Sequence, residues 1–326
     1  MEVGTKSGIA RNETLSVVVE SVRAVARDVI QVSLVAPRQR LLPDFTPGAH
    51  IDVFLPDGMV RQYSLCGTAS ATPVRYHIGV ALVQESKGGS ARLHKWARDG
   101  LALGIGRPRN NFVLESAPSY SFVAGGIGIT PILSMIAQCN EAGVAWRLLY
   151  LCRTPDRMAF SEELIKLDAG RERAVLVSTD QQGIPDIQSW AADGDAGEML
   201  YCCGPSSLIE AVGSIARLTH PGLFRAERFQ RRQDESEANE AFEVQLVRSR
   251  KNLKVHSNQS ILDAVCSAGI EVPNSCREGL CGSCETAVIE GIPDHRDSVL
   301  SDNERRNGTR MMCVSRAKTP VLLLDL

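Results

Sequence analysis

Over the first hundred residues the apolar positions fall into short β-branched runs: LSVVVESVRAVA, VIQVSLVA, HIDVFL, RQYSLC and VRYHIGVAL. Turn signals such as Pro43-Asp44 and Asp57-Gly58 separate them, and one helical stretch is expected near residues 89–99. Short strands at this spacing predict an antiparallel β-barrel. From about residue 120 the pattern changes. YSFVAGG, WRLLYLC, AVLVSTD and EMLYCCG are apolar strand runs, and helical patterns stand between them. One of these is PILSMIAQCNEAG, with Pro131 suited to a first turn and Gly143 to a C-terminal cap; the others lie near residues 161–166 and 206–216. Strands alternating with helices predict a doubly wound α/β parallel sheet. Residues 231–240, RRQDESEANE, hold no large apolar side chain and suit an exposed linker. Beyond them come two strand runs, FEVQLV and KNLKVH, and a helix near residues 260–268 with Ser260 as N-cap. The expected units are therefore residues 1–116, 117–230 and 241–326, joined by a linker at 231–240.

Composition narrows the class. The chain has 326 residues, 44% hydrophobic and 23% charged, with a net charge of −2. These are the values of a soluble globular protein, with no basic excess for nucleic acid. No apolar run reaches the roughly 18 residues of a membrane span. The first 16 residues contain no apolar core of a secretory signal, so a cytoplasmic location is expected. In that reducing setting ten cysteines do not imply disulfides. Cys66, Cys139, Cys152, Cys202, Cys203 and Cys266 read as small buried hydrophobes.

The remaining four, Cys276, Cys281, Cys284 and Cys313, have the spacing C-x4-C-x2-C, then 28 residues, then C. This is the ligand pattern of a plant-type [2Fe–2S] cluster, bound by soft thiolates. Structural zinc also takes four cysteines, but through two C-x2-C knuckles, and the second is missing here. Gly279 and Gly282 let the loop bend around the metal. From Phe242 to Leu326 there are 11 Lys+Arg and 11 Asp+Glu, so this unit is neutral before its metal is added.

Two further sites are suggested upstream. Gly125-Gly126-Ile127-Gly128-Ile129-Thr130-Pro131 follows a strand and opens a helix, where bare backbone can approach a pyrophosphate. It is not G-x-G-x-x-G, and a tight turn without a ligand is the alternative. Cys203-Gly204-Pro205 follows a later strand, at the strand end where doubly wound sheets bind ligands. Arg153 follows the second strand of this unit, in a place suited to a 2′-phosphate but equally to solvent. In the barrel, Arg61-Gln62-Tyr63-Ser64 offers a phosphate partner, a stacking ring and a hydroxyl. Lys87-Gly88-Gly89-Ser90, at a helix start, offers a phosphate cradle. Each of these two is weak alone.

Taken in order, RQYS, GGIGITP and CCGP resemble the ferredoxin–NADP reductase superfamily over roughly residues 15–230. With the C-terminal cysteine motif, nearly the whole chain resembles the phthalate dioxygenase reductase and vanillate demethylase reductase family. The resemblance implies a β-grasp fold for the last unit. It also implies FMN rather than FAD, NADH as donor, and a separate Rieske non-haem iron oxygenase as acceptor. It suggests that Arg61, Tyr63 and Ser64 contact the flavin, that Gly89 and Ser90 hold its phosphate, and that Phe229 lies near its ring. Gly126, Gly128, Thr130 and Pro131 would line the nicotinamide side, beside Cys203 and Gly204, with Arg153 compatible with NADH.

A hydride carries two electrons and the cluster accepts one at a time, so a flavin between them explains three units in one chain. The acceptor must be another protein, because no Rieske pattern C-x-H…C-x2-H occurs. The six histidines (His50, His77, His94, His220, His256, His295) show no ligand spacing and read as structural or surface residues. A monomer is expected. The alternatives are an FAD reductase serving a diiron monooxygenase or a cytochrome P450, and, more remotely, a redox-sensing iron–sulfur regulator.

Overall fold

The computed structural model describes residues 14–83, 88–230, 239–300 and 302–326. The chain start, Lys87 and most of the expected linker lie outside these residues. Six strands form the first sheet: β1 (Leu15–Ala26), β2 (Val29–Val35), β3 (His50–Phe54), β4 (Val60–Ser64), β5 (Arg75–Ala81) and β6 (Ala102–Ile105), in the order β4-β3-β6-β1-β2-β5. All their pairings are antiparallel. The outer strands meet through a bridge between Leu65 and Ile78, which closes the sheet into the expected barrel. Val17, Val32, Ile51, Val53 and Ile78 fill its interior. Helix α1 (Gly89–Trp96) sits beside it, with Leu93 buried. Within this sheet only β6 has no counterpart among the expected strands; LALGI is short and has little branched character.

The second sheet is entirely parallel: β7 (Ser119–Gly125), β8 (Ala145–Cys152), β9 (Ala174–Ser178), β10 (Met199–Cys203) and β11 (Phe224–Glu227), in the order β11-β10-β7-β8-β9. The connections include α2 (Ile129–Ala142), α3 (Ser161–Asp168), α4 (Thr179–Gln182), α5 (Ile187–Ala192) and α6 (Ser206–Thr219). Chain order reverses between β7 and β10, and the crevice beyond their C-terminal ends is where such sheets bind ligands. β7 is buried at every position, as a central strand covered on both faces must be. Gly143 ends α2 in the left-handed region at φ 68°.

The third sheet has the order β13-β12-β18-β14-β16, from β12 (Phe242–Leu246), β13 (Lys251–Val255), β14 (Glu285–Glu290), β16 (Thr309–Met311) and β18 (Val321–Leu324). A two-stranded ladder pairs β15 (Pro293–Asp294) with β17 (Arg316–Ala317), and α8 (Asp302–Arg306) precedes β16. Helix α7 (Ile261–Ser267) starts at Ser260, whose hydroxyl accepts from Asp263 N–H while Asp263 caps back, a complete capping box. β12 lies parallel to β18 and antiparallel to β13, the mixed β-grasp arrangement with a helix packed on one face.

The barrel and the parallel sheet pack closely. Gly48 N–H donates to Ser134 Oγ at 3.1 Å. A Cβ on Gly79 of β5 would lie 2.6 Å from the Thr130 methyl, so glycine there lets the start of α2 rest on the barrel. The core of the parallel sheet depends on an aromatic group: Phe122 is fully buried, with its ring centroid 5.9 Å from both Tyr120 and Tyr201. Phe122→Ala is expected to cost about 3–5 kcal/mol, read as a fall in thermal midpoint.

Candidate functional site: one cleft between three units

Arg61, Tyr63 and Ser64 lie along β4, opposite Val53, Ile51 and His50 of β3. Tyr63 is largely shielded, and burial pushes its hydroxyl up to about 12. The stem of Arg61 runs over the start of α1: a Cβ on Gly89 would lie 2.5 Å from Arg61 Nε. Gly88 sits at φ 85°, and no side chain caps α1. Ser90 Oγ accepts from Val83 N–H at 3.1 Å. The two weak phosphate signals of the sequence are therefore one place, with a guanidinium over a helix start. That arrangement fits a phosphate.

The cleft beside β4 is lined by Arg61, Tyr63, Ser64, Phe229, His50 and Cys276, with Glu227, Glu278 and Leu280 at its margins. Phe229 stays 36% exposed, leaving its ring available to a planar partner. Three segments remote in sequence thus meet at one opening. Sequence reasoning missed His50 and Glu227. A lone histidine in GAHID carries no spacing signal; Glu227 could have been found two residues before Phe229 in RAERF. His50 is 5% exposed, burial holds its imidazole down at about 4, and its Nε2 is enclosed without a hydrogen-bond partner. Glu227 as a residue is half-buried, but its Oε2 is shut off from solvent and unpartnered. Burial pushes its carboxyl up to about 8.

At the ends of β7 and β10 the glycines differ in purpose. Gly126 sits at φ 53° with open space where a Cβ would be, an unfilled cradle at the start of α2. A Cβ on Gly128 would lie 2.2 Å from the Cys203 carbonyl oxygen, and one on Gly204 would lie 2.9 Å from Gly125 Cα. These two therefore allow the two strand ends to approach. Neither α2 nor α6 has a side-chain cap or an acidic residue in its first turn, so both N-termini favour an anion. Thr130 is buried and its Oγ1 donates to Ile127 O at 2.9 Å; Pro131 is buried beside it. The Cys203 thiol is fully buried and pushed well up by burial, so at this strand end the backbone of Cys203, not its sulfur, meets the glycine turn. Arg153 is exposed at the end of β8. Cys66, Cys139, Cys152 and Cys202 are buried, as packing requires.

The four remaining cysteines are brought together by the loop before β14 and the turn after β16. Their thiols are near enough to shift one another, Cys276 with Cys281 and Cys313, and Cys284 with Cys313. Hydrogen bonds from neighbouring thiols hold Cys276 and Cys284 down and push Cys281 and Cys313 up. Four thiolates cannot share this loop unaided, and iron supplies the positive charge that lets them. Gly279 and Gly282 stand at φ 72° and 76°, and Glu278 N–H donates to Cys276 Sγ at 3.3 Å. The Cys313 turn is braced on both sides. Buried Arg310 donates to Arg316 O at 3.0 Å, and Arg316 donates to Gln259 O and Glu240 O at 2.6 Å each.

Two outcomes follow from these positions. Gly126→Ala costs the fold only left-handed strain, about 1–2 kcal/mol, whereas Gly128→Ala must part β7 from β10. NADH titration is expected to show about a tenfold weaker complex for both variants, for Gly126→Ala because its methyl enters the open cradle, whereas only Gly128→Ala should also lower the thermal midpoint strongly. The second concerns pH. The folded chain keeps the Glu227 proton up to about pH 8, while an unfolded carboxyl loses it near 4.3. This carboxyl thus favours the fold fully at low pH and progressively less as pH rises to 8. Glu227→Gln should match the parent near pH 4 and exceed its stability by about 2 kcal/mol above pH 8, a figure reduced for partial exposure, in urea denaturation.

Comparison with known proteins agrees with this geometry. Residues 122–214 match the family described as an oxidoreductase NAD-binding domain, and residues 244–318 match the 2Fe-2S iron-sulfur cluster binding domain. The chain is 41% identical to the phenoxybenzoate dioxygenase subunit beta of Ectopseudomonas oleovorans, over 98% of this chain and 100% of that one. The solved structure of phthalate dioxygenase reductase superposes with a TM-score of 0.72 at 37% identity, covering 96% of this chain and 98% of that one. An intact type IV self-sufficient cytochrome P450 monooxygenase superposes at 0.86 with 33% identity; it covers 98% of this chain, which spans only 43% of that protein. The chain therefore belongs to the phthalate dioxygenase reductase family of NADH-dependent flavin and iron–sulfur oxidoreductases.

Proposed function

We propose that this protein is the reductase component of a two-component Rieske-type aromatic-ring oxygenase or demethylase. It would pass electrons from NADH through FMN and a [2Fe–2S] cluster to the separate oxygenase. The observation that carries this reading is the single cleft in which the RQYS segment, Phe229 and Cys276 meet. FMN held there would supply the conversion of a two-electron hydride from NADH, with NAD+ and one proton as products, into single electrons for the cluster.

The chain's own residues provide position. Arg61 with Gly89 and Ser90 holds the phosphate, and Tyr63, Ser64 and Phe229 flank the ring. Gly126, Gly128, Thr130, Pro131 and Gly204 shape the floor for the nicotinamide nucleotide, with Cys203 behind them and Arg153 at the rim. Cys276, Cys281, Cys284 and Cys313 hold the cluster. The units are a flavin barrel at residues 1–116, a nucleotide unit at 117–230, a linker at 231–240 and a cluster unit at 241–326. A cytoplasmic monomer is the form proposed. All ten cysteines are free, which suits a reducing compartment, and no described helix is long and apolar enough to cross a membrane.

The likeness to the P450 monooxygenase supports a second acceptor class. Reconstitution with each oxygenase type distinguishes them, and chromatography of the released flavin separates FMN from FAD. The purified protein is expected to reduce ferricyanide with NADH and to oxygenate no aromatic acid by itself. Cys313→Ser should lose or perturb the cluster, seen by absorbance and EPR, yet keep at least half of the NADH–ferricyanide rate. Aromatic turnover without an added oxygenase, or loss of both activities in a folded variant, overturns the reading.

A further inference from the structure

The outward face of β3 joins the flavin cleft to the cluster loop. Ile51 and Val53 point into the barrel, so His50 and Asp52 share the opposite face. His50 lines the cleft with Cys276. Asp52 is 2% exposed and collects donors from three directions. Arg109 Nη2 reaches both of its oxygens, at 2.8 and 2.9 Å, and Gln62 Nε2 reaches Oδ1 at 3.0 Å. The third donor crosses between units: Ser275 Oγ donates to Oδ1 at 2.7 Å. Ser275 immediately precedes the ligand Cys276. A second crossing lies close by, where Asn111 Nδ2 donates to the carbonyl of the ligand Cys281 at 3.2 Å.

One crossing thus holds the side chain of the residue before Cys276 and the other the carbonyl of Cys281, and both anchors belong to the barrel side. Arg109 is itself fixed by paired backbone hydrogen bonds with His50, at 2.8 and 3.0 Å. The Asp52 carboxylate is therefore held before the cluster unit arrives. A hydroxyl-to-carboxylate hydrogen bond is short and directional, as a positioning contact requires.

We propose that Asp52 and Asn111 are positioning residues that fix the Cys276–Cys281 side of the cluster against the flavin cleft, so that flavin-to-cluster electron transfer takes place in this docked arrangement. The step forms and breaks no bond: one electron leaves the reduced flavin and one iron passes from ferric to ferrous. This rests on the flavin reading above.

Ser275→Ala removes one crossing and leaves the Asp52–Arg109–Gln62 network intact. In the holoprotein, stopped-flow mixing with NADH should show flavin reduction at the parental rate and cluster bleaching slowed about ten- to a hundredfold. The EPR signal of the reduced cluster should persist, and amide exchange should rise over residues 50–54 and 274–281. Ser275→Thr, which keeps the hydroxyl, should restore both readouts. Asn111→Ala should slow transfer similarly, and it decides alone if Ser275→Ala fails to hold its cluster. Parental transfer and exchange in these variants overturn the proposal, as does slow transfer that Ser275→Thr does not restore. Absence of bound flavin from the parent protein would instead overturn the functional reading beneath it.

Discussion

A carboxylate shut away from water must be paired, and the pairing of Asp52 organises this molecule. Two of its partners, Arg109 and Gln62, come from the barrel, and the third comes from a loop 223 residues further along the chain. Arg109 and Gln62 pair the carboxylate from its own unit, and Ser275, next to Cys276, adds a third donor from across the joint. The same joint lies beside the cleft lined by Arg61, Tyr63, Phe229 and Cys276.

Local chemistry was well read from the chain. The four cysteines announced a cluster through spacing alone, and the structure brings their thiols together. Gly126 and Gly128 were readable as a glycine turn opening a helix. Their different duties were not, because the Cys203 carbonyl that crowds Gly128 lies on a strand 75 residues away. RQYS and GGS looked weak for the same reason: Arg61 passes over Gly89 only after the barrel has folded. The family resemblance joined these fragments where periodicity could not.

What escaped the sequence depends on burial and on contacts between units. His50 read as an ordinary histidine, yet it stands enclosed in the cleft wall with an unpartnered ring nitrogen. Glu227 gave no sign that burial would keep its proton near neutral pH. Strands β6, β11, β14, β16 and β18 and the β15–β17 pair were not expected; most are too brief for an apolar rhythm, β14 has charged ends, and all are stabilised by their neighbours.

The position of Cys313 has a consequence for the life of the protein beyond electron flow. Iron held by Cys284 and Cys313 would tie off the 28 residues between them, which contain β14 and β16, the last two strands at one side of their sheet. The metal thus meets part of the entropy of closing that loop, and cluster assembly is linked to folding. Without that tie, β16, the edge strand of this sheet, would be held by its pairing with β14 alone. Iron supply would then govern how much of this protein stays soluble, as well as how fast it works.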